Sequence, residues 1–261
     1  MTPSPLDVGE LDLLGAHPRA SNLAVVAEVV TDDGRVPVIY KPIAGERPLW
    51  DFPDGSLAAR EVAAFVVSRL GGFDLVPETV LREGPLGTGA VQRWLGEVPE
   101  TAPSPVTVSP PGEVPDGHLP VLHGEGERGE PVLVSHPDTP PLRSLAVLDA
   151  VLNNSDRKGS HVLTWEGRTW GIDHGVCLHA EPKLRTVLWG WAGDPLVDED
   201  VARLARLEAA LDPADDGADE LAELLTEAEV DALRARVRRM LRSGCHPAPS
   251  GGWPSVPWPP L

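Results

Sequence analysis

The chain has 261 residues, of which 41% are apolar and 24% are charged, an ordinary composition for a globular protein with a sizeable core. Its 22 basic and 40 acidic residues give a net charge of −18, which disfavours nucleic acid and direct bilayer contact, although such acidity often serves solubility alone. The two cysteines, Cys177 and Cys245, lack the spacing of a zinc site. No signal peptide or transmembrane helix is evident, so we expect a cytoplasmic protein without integral membrane contact.

Residues 1–95 are predicted to contain strands, one helix and then more strands. Apolar segments predict strands at residues 11–14, 21–30 and 36–41, and the last two flank an Asp-Gly turn that is typical of a hairpin. The second hairpin strand ends in Lys41, just before a proline.

A helix is predicted to begin after Ser56 as N-cap and to end at Gly71-Gly72. Its apolar residues recur at helical spacing and predict one buried face, with Glu61 at the edge of that face. Two further strands are predicted at residues 76–82 and 89–94.

Residues 96–141 are dense in Pro, Gly and acidic residues, which favours a long, partly mobile insertion with one short strand at residues 131–135. The remaining chain predicts a buried helix at residues 142–152, a polar loop, and a hairpin over residues 161–172. Two acidic helices follow, near residues 198–211 and 226–242. The Pro- and Trp-rich tail, residues 245–261, is predicted to be extended or disordered, or to be a peptide ligand for a partner domain.

Four residues able to bind phosphate or metal lie on predicted elements, at their ends or in the loop between two of them. Lys41 ends a strand, Glu61 lies on the next helix, Asp156 lies in a polar loop, and Asp173 ends the following hairpin. Phosphoryl transfer needs such a set, because its transition state asks for positioning and charge neutralisation rather than covalent chemistry. Taken singly, each is more often a surface or turn residue, so the hypothesis depends on the set.

Three segments in this order resemble the phosphatidylinositol 3-/4-kinase-like superfamily, which includes toxin kinases of the HipA type. Residues 60–80 resemble its helix-plus-strand element, residues 148–163 (LDAVLNNSDRKGSHVL) its catalytic loop, and residues 171–178 (GIDHGVCL) its metal-binding motif. The resemblance implies an α+β, bilobal protein-kinase-like fold with a small β-rich N-lobe and a larger helical C-lobe. The expected N-lobe is residues 1–95 and the expected C-lobe is residues 142–244. Residues 96–141 would be an insertion between the lobes, and residues 245–261 would be a tail.

The resemblance also implies roles for individual residues. Lys41 would bind phosphate with Glu61 as its partner, Asp156 would be the catalytic aspartate, and Asp173 the principal metal ligand. Lys158 would assist at the transferred phosphate, and His161 would be the second metal ligand. Ser21 and Asn22 would contact phosphate from a loop. The hinge, whose backbone would pair with adenine, would be Gln92, Arg93 and Trp94.

The sequence departs from the family at two places. His161 stands where the family has asparagine, and neutral imidazole suits manganese or zinc better than magnesium. The loop at residues 15–22 has one glycine, where a phosphate-covering loop has more. The expected cofactors are therefore ATP with Mg²⁺ or Mn²⁺, and the expected substrate is a hydroxyl-bearing small molecule or protein. The resemblance implies an active ATP-dependent phosphotransferase that transfers the γ-phosphate to that hydroxyl. A nucleotide-binding pseudokinase or regulatory module and an AMP transferase are the alternatives.

Overall fold

The N-terminal part of the chain is built on a five-stranded antiparallel sheet. The computed structural model describes residues 4–18, 20, 22–32, 34–53, 56–126, 128–251 and 254–261. A short helix, α1 (Pro5–Val8), precedes the sheet. The strands are β1 (Glu10–Ala16), β2 (Val25–Thr31), β3 (Gly34–Pro42), β4 (Thr79–Gly84) and β5 (Gly87–Arg93), in the spatial order β1-β2-β3-β5-β4. All five predicted strands are present, with shifted ends.

Alternation along β3 decides where Lys41 points. Val38 and Tyr40 are fully buried in an apolar cluster with side chains from β1, β2 and β5. Because neighbouring residues of a strand point to opposite faces, Lys41 extends from the other face of the sheet. Its ammonium there contacts Glu61, on the helix that follows the sheet's third strand.

That helix, α2 (Leu57–Gly71), is buried along most of its length and ends at Gly72, whose φ of 69° is the left-handed conformation that glycine accepts most readily. Ser56 occupies the N-cap position, but its side chain does not cap the helix, contrary to prediction. Instead the Glu46 carboxylate accepts hydrogen bonds from the amides of Leu57 and Ala58, at 3.1 and 2.8 Å. A residue outside the helix thus satisfies the first free amides.

The Pro- and Gly-rich middle segment forms a second sheet. Its strands are β6 (Thr107–Ser109), β7 (His118–Glu125) and β8 (Pro131–Pro137), antiparallel and in the order β6-β8-β7. The sequence predicted only the last of these. Val134 on β8 is buried in the main apolar core, which attaches this sheet to the rest of the molecule.

The C-terminal part is mainly helical. The helix α3 (Pro140–Leu152) is followed by a hairpin of β9 (Val162–Trp165) and β10 (Arg168–Gly171). Three more helices follow: α4 (Asp198–Ala210), α5 (Asp216–Ala222) and α6 (Glu227–Ser243). All were predicted except α5. Side chains from α2, α3, α4 and α6 share one apolar core, so α2 joins the sheet to the helical part.

The described part of the tail contains neither helix nor strand and lies against the chain itself. The Ser255 carbonyl accepts hydrogen bonds from the Thr186 amide at 3.0 Å and from Trp189 Nε1 at 2.7 Å. Farther along, the Pro260 carbonyl accepts from the Gly159 amide at 2.8 Å. The tail therefore reaches the loop that follows α3.

The architecture is mixed α+β, with an antiparallel sheet in the N-terminal region and helices in the C-terminal region. This confirms the predicted fold class and is consistent with a bilobal kinase-like fold. Within the described ranges, no helix is both long and apolar enough to cross a membrane. Cys177 is a buried free thiol.

Candidate active site

Lys41 lies at the centre of the candidate site, between two carboxylates from distant parts of the chain. Its ammonium donates to the Glu61 carboxylate on α2 and to Asp173 Oδ1, the latter at 2.9 Å. Glu61 is almost fully buried, whereas the Asp173 side chain is 48% exposed. One positive charge therefore joins the sheet, α2 and the segment after β10, and leaves part of Asp173 open to a ligand.

These charges set one another's protonation. Burial alone would lower the pKa of Lys41, but the negative charges of Asp173 and Glu61 outweigh burial and raise that pKa. The ammonium of Lys41 in turn holds the pKa of Asp173 well below its usual range. Burial raises the pKa of Glu61, against the opposing effect of Lys41. Lys41 and Asp173 are thus an ion pair at neutral pH.

His161 connects Asp173 to the loop after α3. Its Nδ1 lies 2.9 Å from the Asp156 carbonyl oxygen, and because a carbonyl only accepts, Nδ1 carries the proton. The other ring nitrogen, Nε2, lies 3.2 Å from Asp173 Oδ2. Burial lowers the pKa of His161, which favours the neutral ring. The Nε2 lone pair then faces a carboxylate oxygen.

Asp156 and Lys158 lie beside this pair in the same loop. Lys158 Nζ is 3.2 Å from Asp156 Oδ2, and both side chains are partly exposed. The Asp156 amide donates to Asn154 Oδ1 at 3.0 Å, which fixes the backbone that carries the carboxylate. A substrate could therefore reach a fixed carboxylate with an ammonium next to it.

Arg157 organises the site from beneath, and our sequence reasoning missed it. Its guanidinium is fully buried and forms a bidentate pair with Asp149 of α3 at 2.9 to 3.1 Å. Nη1 also donates to the carbonyls of His161 and Ile172, at 2.9 and 2.8 Å. The signal that could have found it is Asp149, a charged residue within the apolar run of α3, which needs a partner once buried.

His174 extends this network to α2. Nε2 of His174 accepts from Arg157 Nη2 at 2.7 Å, and its amide donates to Glu61 Oε2 at 2.9 Å. Nδ1 of His174 is buried without a hydrogen-bond partner in the described part of the chain. Asp173 has a φ of 59°, a conformation that non-glycine residues adopt rarely and often at functional sites.

Among the residues expected to hold the rest of a nucleotide, Asn22 and Gln92 make side-chain hydrogen bonds within the chain. Ser21 is outside the described residues, and Asn22 Oδ1 accepts from the Arg47 amide at 3.0 Å. The Gln92 side chain is buried and donates to Thr79 at 2.8 Å.

At the expected hinge, the amides of Arg93 and Trp94 are already in use. The Arg93 amide donates to the Glu78 carbonyl and the Trp94 amide to the Pro37 carbonyl, each at 2.9 Å. Neither amide is left to donate to adenine, so any base pairing there would have to use other backbone groups.

No group of three or more His, Cys, Asp or Glu side chains placed to hold a metal occurs among the residues described. His161 and Asp173 do offer one nitrogen and one carboxylate oxygen side by side. Divalent ions in nucleotide sites take few protein ligands, because phosphate oxygens and water complete the coordination. The donor set therefore fits a divalent ion that arrives with a nucleotide.

The chain was compared with protein families, solved structures and protein sequences. No protein-family model matches it. The solved structure of the proinflammatory kinase CtkA from Helicobacter pylori overlaps with 92% of this chain and 94% of that chain, at a TM-score of 0.45 and 11% sequence identity. An overlap at this level decides nothing about activity.

A relative is found by sequence. Protein Rv2133c of Mycobacterium tuberculosis (strain ATCC 25618 / H37Rv) is 43% identical over 259 residues, which cover 96% of this chain and 92% of the relative. The chain therefore belongs to the same family as protein Rv2133c.

Proposed function

We propose that the protein is an ATP-dependent phosphotransferase of the phosphatidylinositol 3-/4-kinase-like type, which transfers the γ-phosphate to a hydroxyl of a protein or small molecule. The observation that carries the proposal is the placement of Lys41 between Glu61 and Asp173, with Asp156 linked to Asp173 through His161. Four chain segments thus converge on one group of charges.

Lys41 and Glu61 serve the phosphates of ATP in this proposal. The ammonium of Lys41 neutralises phosphate charge, and Glu61 holds the ammonium in place from α2. Because Glu61 also accepts from the His174 amide, the position of α2 and that of the metal motif are set together.

Asp156 acts on the acceptor. Its carboxylate is partly exposed and orients the attacking hydroxyl or accepts its proton. Lys158, 3.2 Å from Asp156 Oδ2, neutralises charge on the phosphoryl group as it is transferred.

Asp173 and His161 would hold the divalent ion, Mg²⁺ or Mn²⁺, which neutralises the phosphates when bound. The net charge of −18 disfavours an anionic lipid surface as the substrate, which leaves a protein or small-molecule hydroxyl. The lobes of this enzyme would be residues 1–95 and 142–244.

A second candidate is a nucleotide-binding regulatory module without transfer. Two observations favour it: histidine at position 161 in place of the family's asparagine, and the engaged amides of Arg93 and Trp94. Transfer of AMP instead of phosphate is a further outcome that the same assay detects.

The test is an assay with ATP labelled at the α- or the γ-phosphate, with Asp156→Asn and Asp173→Asn as controls. The proposal expects γ-label in the acceptor or in the protein itself, and its loss in both variants. Binding of ATP without transfer of either label, under both metals, would favour the regulatory module. Transfer of α-label alone would show an AMP transferase.

A further inference from the structure

His161 and Asp173 face each other in a way that calls for a cation. Because Nδ1 donates to the Asp156 carbonyl at 2.9 Å, Nε2 is the ring nitrogen that offers a lone pair when the ring is neutral. That lone pair and Asp173 Oδ2 are both acceptors, and they lie 3.2 Å apart. Two acceptors at this distance repel each other unless a proton on Nε2 or a metal ion lies between them.

The separation also suits two ligands of one metal ion. Ligand atoms about 2.1 Å from an octahedral ion, at right angles to each other, lie about 3.0 Å apart. A metal-binding histidine commonly donates its other ring N–H to a carbonyl or carboxylate, which fixes the tautomer and the ring orientation. The Asp156 carbonyl supplies that contact here.

Lys41 occupies one of the two carboxylate oxygens of Asp173, so only the other is free to bind a metal ion. Its ammonium binds Oδ1 at 2.9 Å, so Oδ2, next to His161 Nε2, is the oxygen left for an ion. With no larger cluster of possible ligands among the described residues, one nitrogen and one oxygen are the protein's contribution here. The identity of the nitrogen ligand then has a large share in deciding which ion binds.

We propose that His161 makes this site select Mn²⁺ over Mg²⁺, an inference that rests on the proposed nucleotide site. Mg²⁺ prefers oxygen ligands and gives up water reluctantly, whereas imidazole nitrogen favours later divalent ions of the first transition row. Mn²⁺ also accepts carboxylate, phosphate and water oxygens, so it suits the mixed donor set.

The test measures metal binding directly, on the full chain at a pH above the ordinary pKa of histidine. Mn²⁺ is titrated by electron paramagnetic resonance with Mg²⁺ as competitor, for the wild type, His161→Asn, and His123→Asn as the matched control. His123 is an exposed residue on β7. Pulsed measurements on bound Mn²⁺ then detect a directly coordinated nitrogen.

We expect the wild type and H123N to bind Mn²⁺ in preference to Mg²⁺ and to show the nitrogen coupling. H161N is expected to lose the coupling and about tenfold in Mn²⁺ affinity, because one ligand is replaced. Wild-type protein that shows no nitrogen coupling with Mn²⁺, either alone or together with a non-hydrolysable ATP analogue, would overturn the inference. The wild-type spectrum decides even if H161N fails to fold.

Calorimetry with a non-hydrolysable ATP analogue, in EDTA and in each metal, separates this inference from the proposed function. Nitrogen-coordinated Mn²⁺ without any binding of the analogue would sink the kinase proposal and leave the metal selectivity standing. Binding of the analogue with a metal that lacks nitrogen coupling would support the nucleotide site and overturn the role of His161 in metal selection.

Discussion

The His174 amide donates a hydrogen bond to Glu61 Oε2 at 2.9 Å, across 113 positions of sequence. The other oxygen of the same carboxylate binds Lys41. Glu61 therefore holds a side chain of the sheet and the backbone after β10 at once, and movement of α2 would disturb both. This coupling is the basis of the first prediction.

Lys41→Met should abolish phosphoryl transfer and lower the free energy of unfolding by roughly 2 kcal/mol, because the buried Glu61 loses its charged partner. Adding Glu61→Gln to Lys41→Met should recover about 1 kcal/mol of that stability, because the unpaired charge of Glu61 is removed. Such a recovery means that the two side chains are coupled. Urea unfolding of the wild type, both single variants and the double variant measures the coupling. Strictly additive losses would show that the two side chains do not interact.

Asp156→Asn should separate transfer from binding. Because the carboxylate is partly exposed and its pair with Lys158 is weak, stability should change by less than about 0.5 kcal/mol. The transfer rate should fall about a thousandfold if Asp156 handles the acceptor's proton. Single-turnover kinetics and calorimetry with ATP check this, with the exposed Asp116→Asn as control. Loss of ATP affinity in D156N would contradict the assignment.

Arg157→Lys should be costly for the fold and for the site. Lysine cannot reproduce the bidentate contact with Asp149 or reach both carbonyls, so we expect a loss of about 3 kcal/mol. Arg238→Lys is the matched control, since that arginine forms an exposed pair with Glu208. Thermal unfolding compares the two variants.

A positioning role for Arg157 requires more than lost stability. At a temperature where R157K is fully folded, its transfer rate should fall and its KM for ATP should rise, because Arg157 holds the backbone at His161 and Ile172, at the proposed metal ligands. Full transfer activity in folded R157K would reduce Arg157 to a purely structural residue.

The cap of α2 gives a prediction that contrasts two residues. Glu46→Ala should destabilise the protein by about 1 kcal/mol, because the amides of Leu57 and Ala58 lose their acceptor. Ser56→Ala should cost less than about 0.5 kcal/mol, because that hydroxyl makes no capping bond. Chemical denaturation ranks the two, and the opposite order would contradict the assigned cap.

Acid should destabilise the protein through its buried histidines, two of which, His136 and His246, lie beside Trp191. Burial lowers the pKa of each below its ordinary value near 6.5. Between the lowered pKa and 6.5 the unfolded chain binds more protons than the folded one, so stability is full above 6.5 and falls as the pH drops towards the folded value. His246 Nε2 accepts from Arg143 at 3.4 Å, so protonation would also set two positive charges together.

Urea unfolding followed by circular dichroism, between about pH 8 and pH 5, measures this loss. His246→Gln should flatten the decline below pH 6.5, and His123→Gln, at an exposed site, should leave it unchanged. A decline equally steep in both variants would assign the acid sensitivity to other groups. The neighbouring acids Asp138, Asp194 and Asp200 favour the charged rings and so limit the effect.

The elements that sequence reasoning predicted best are those with a strong period or a clear stop. The helix α2 has apolar residues at helical spacing and a glycine end, and the hairpin of β9 and β10 has a two-residue turn, Glu166-Gly167, with φ values of 50° and 72°. Local residue chemistry decides such elements. The convergence of Lys41, Glu61, Asp156, His161 and Asp173 was expected from order and element type, and the structure brings them together.

Features that depend on distant partners were missed. β6 and β7 contain or adjoin prolines and glycines, and they form because β8 lies between them as a common partner. The cap of α2 comes from Glu46, ten positions before Ser56, and Arg157 gains its role from Asp149 and from carbonyls that no local pattern reveals. Tertiary contacts of this kind override local propensity.

The tail's path has a practical consequence for anyone producing the protein. Pro260 bonds to the backbone of Gly159, and the Leu261 side chain lies against the same glycine, three positions beyond Asp156. A purification handle or fluorescent fusion joined after Leu261 would emerge beside the proposed acceptor site and could itself become phosphorylated. Handles are better attached at the opposite terminus, or separated from Leu261 by a protease site and removed before any assay.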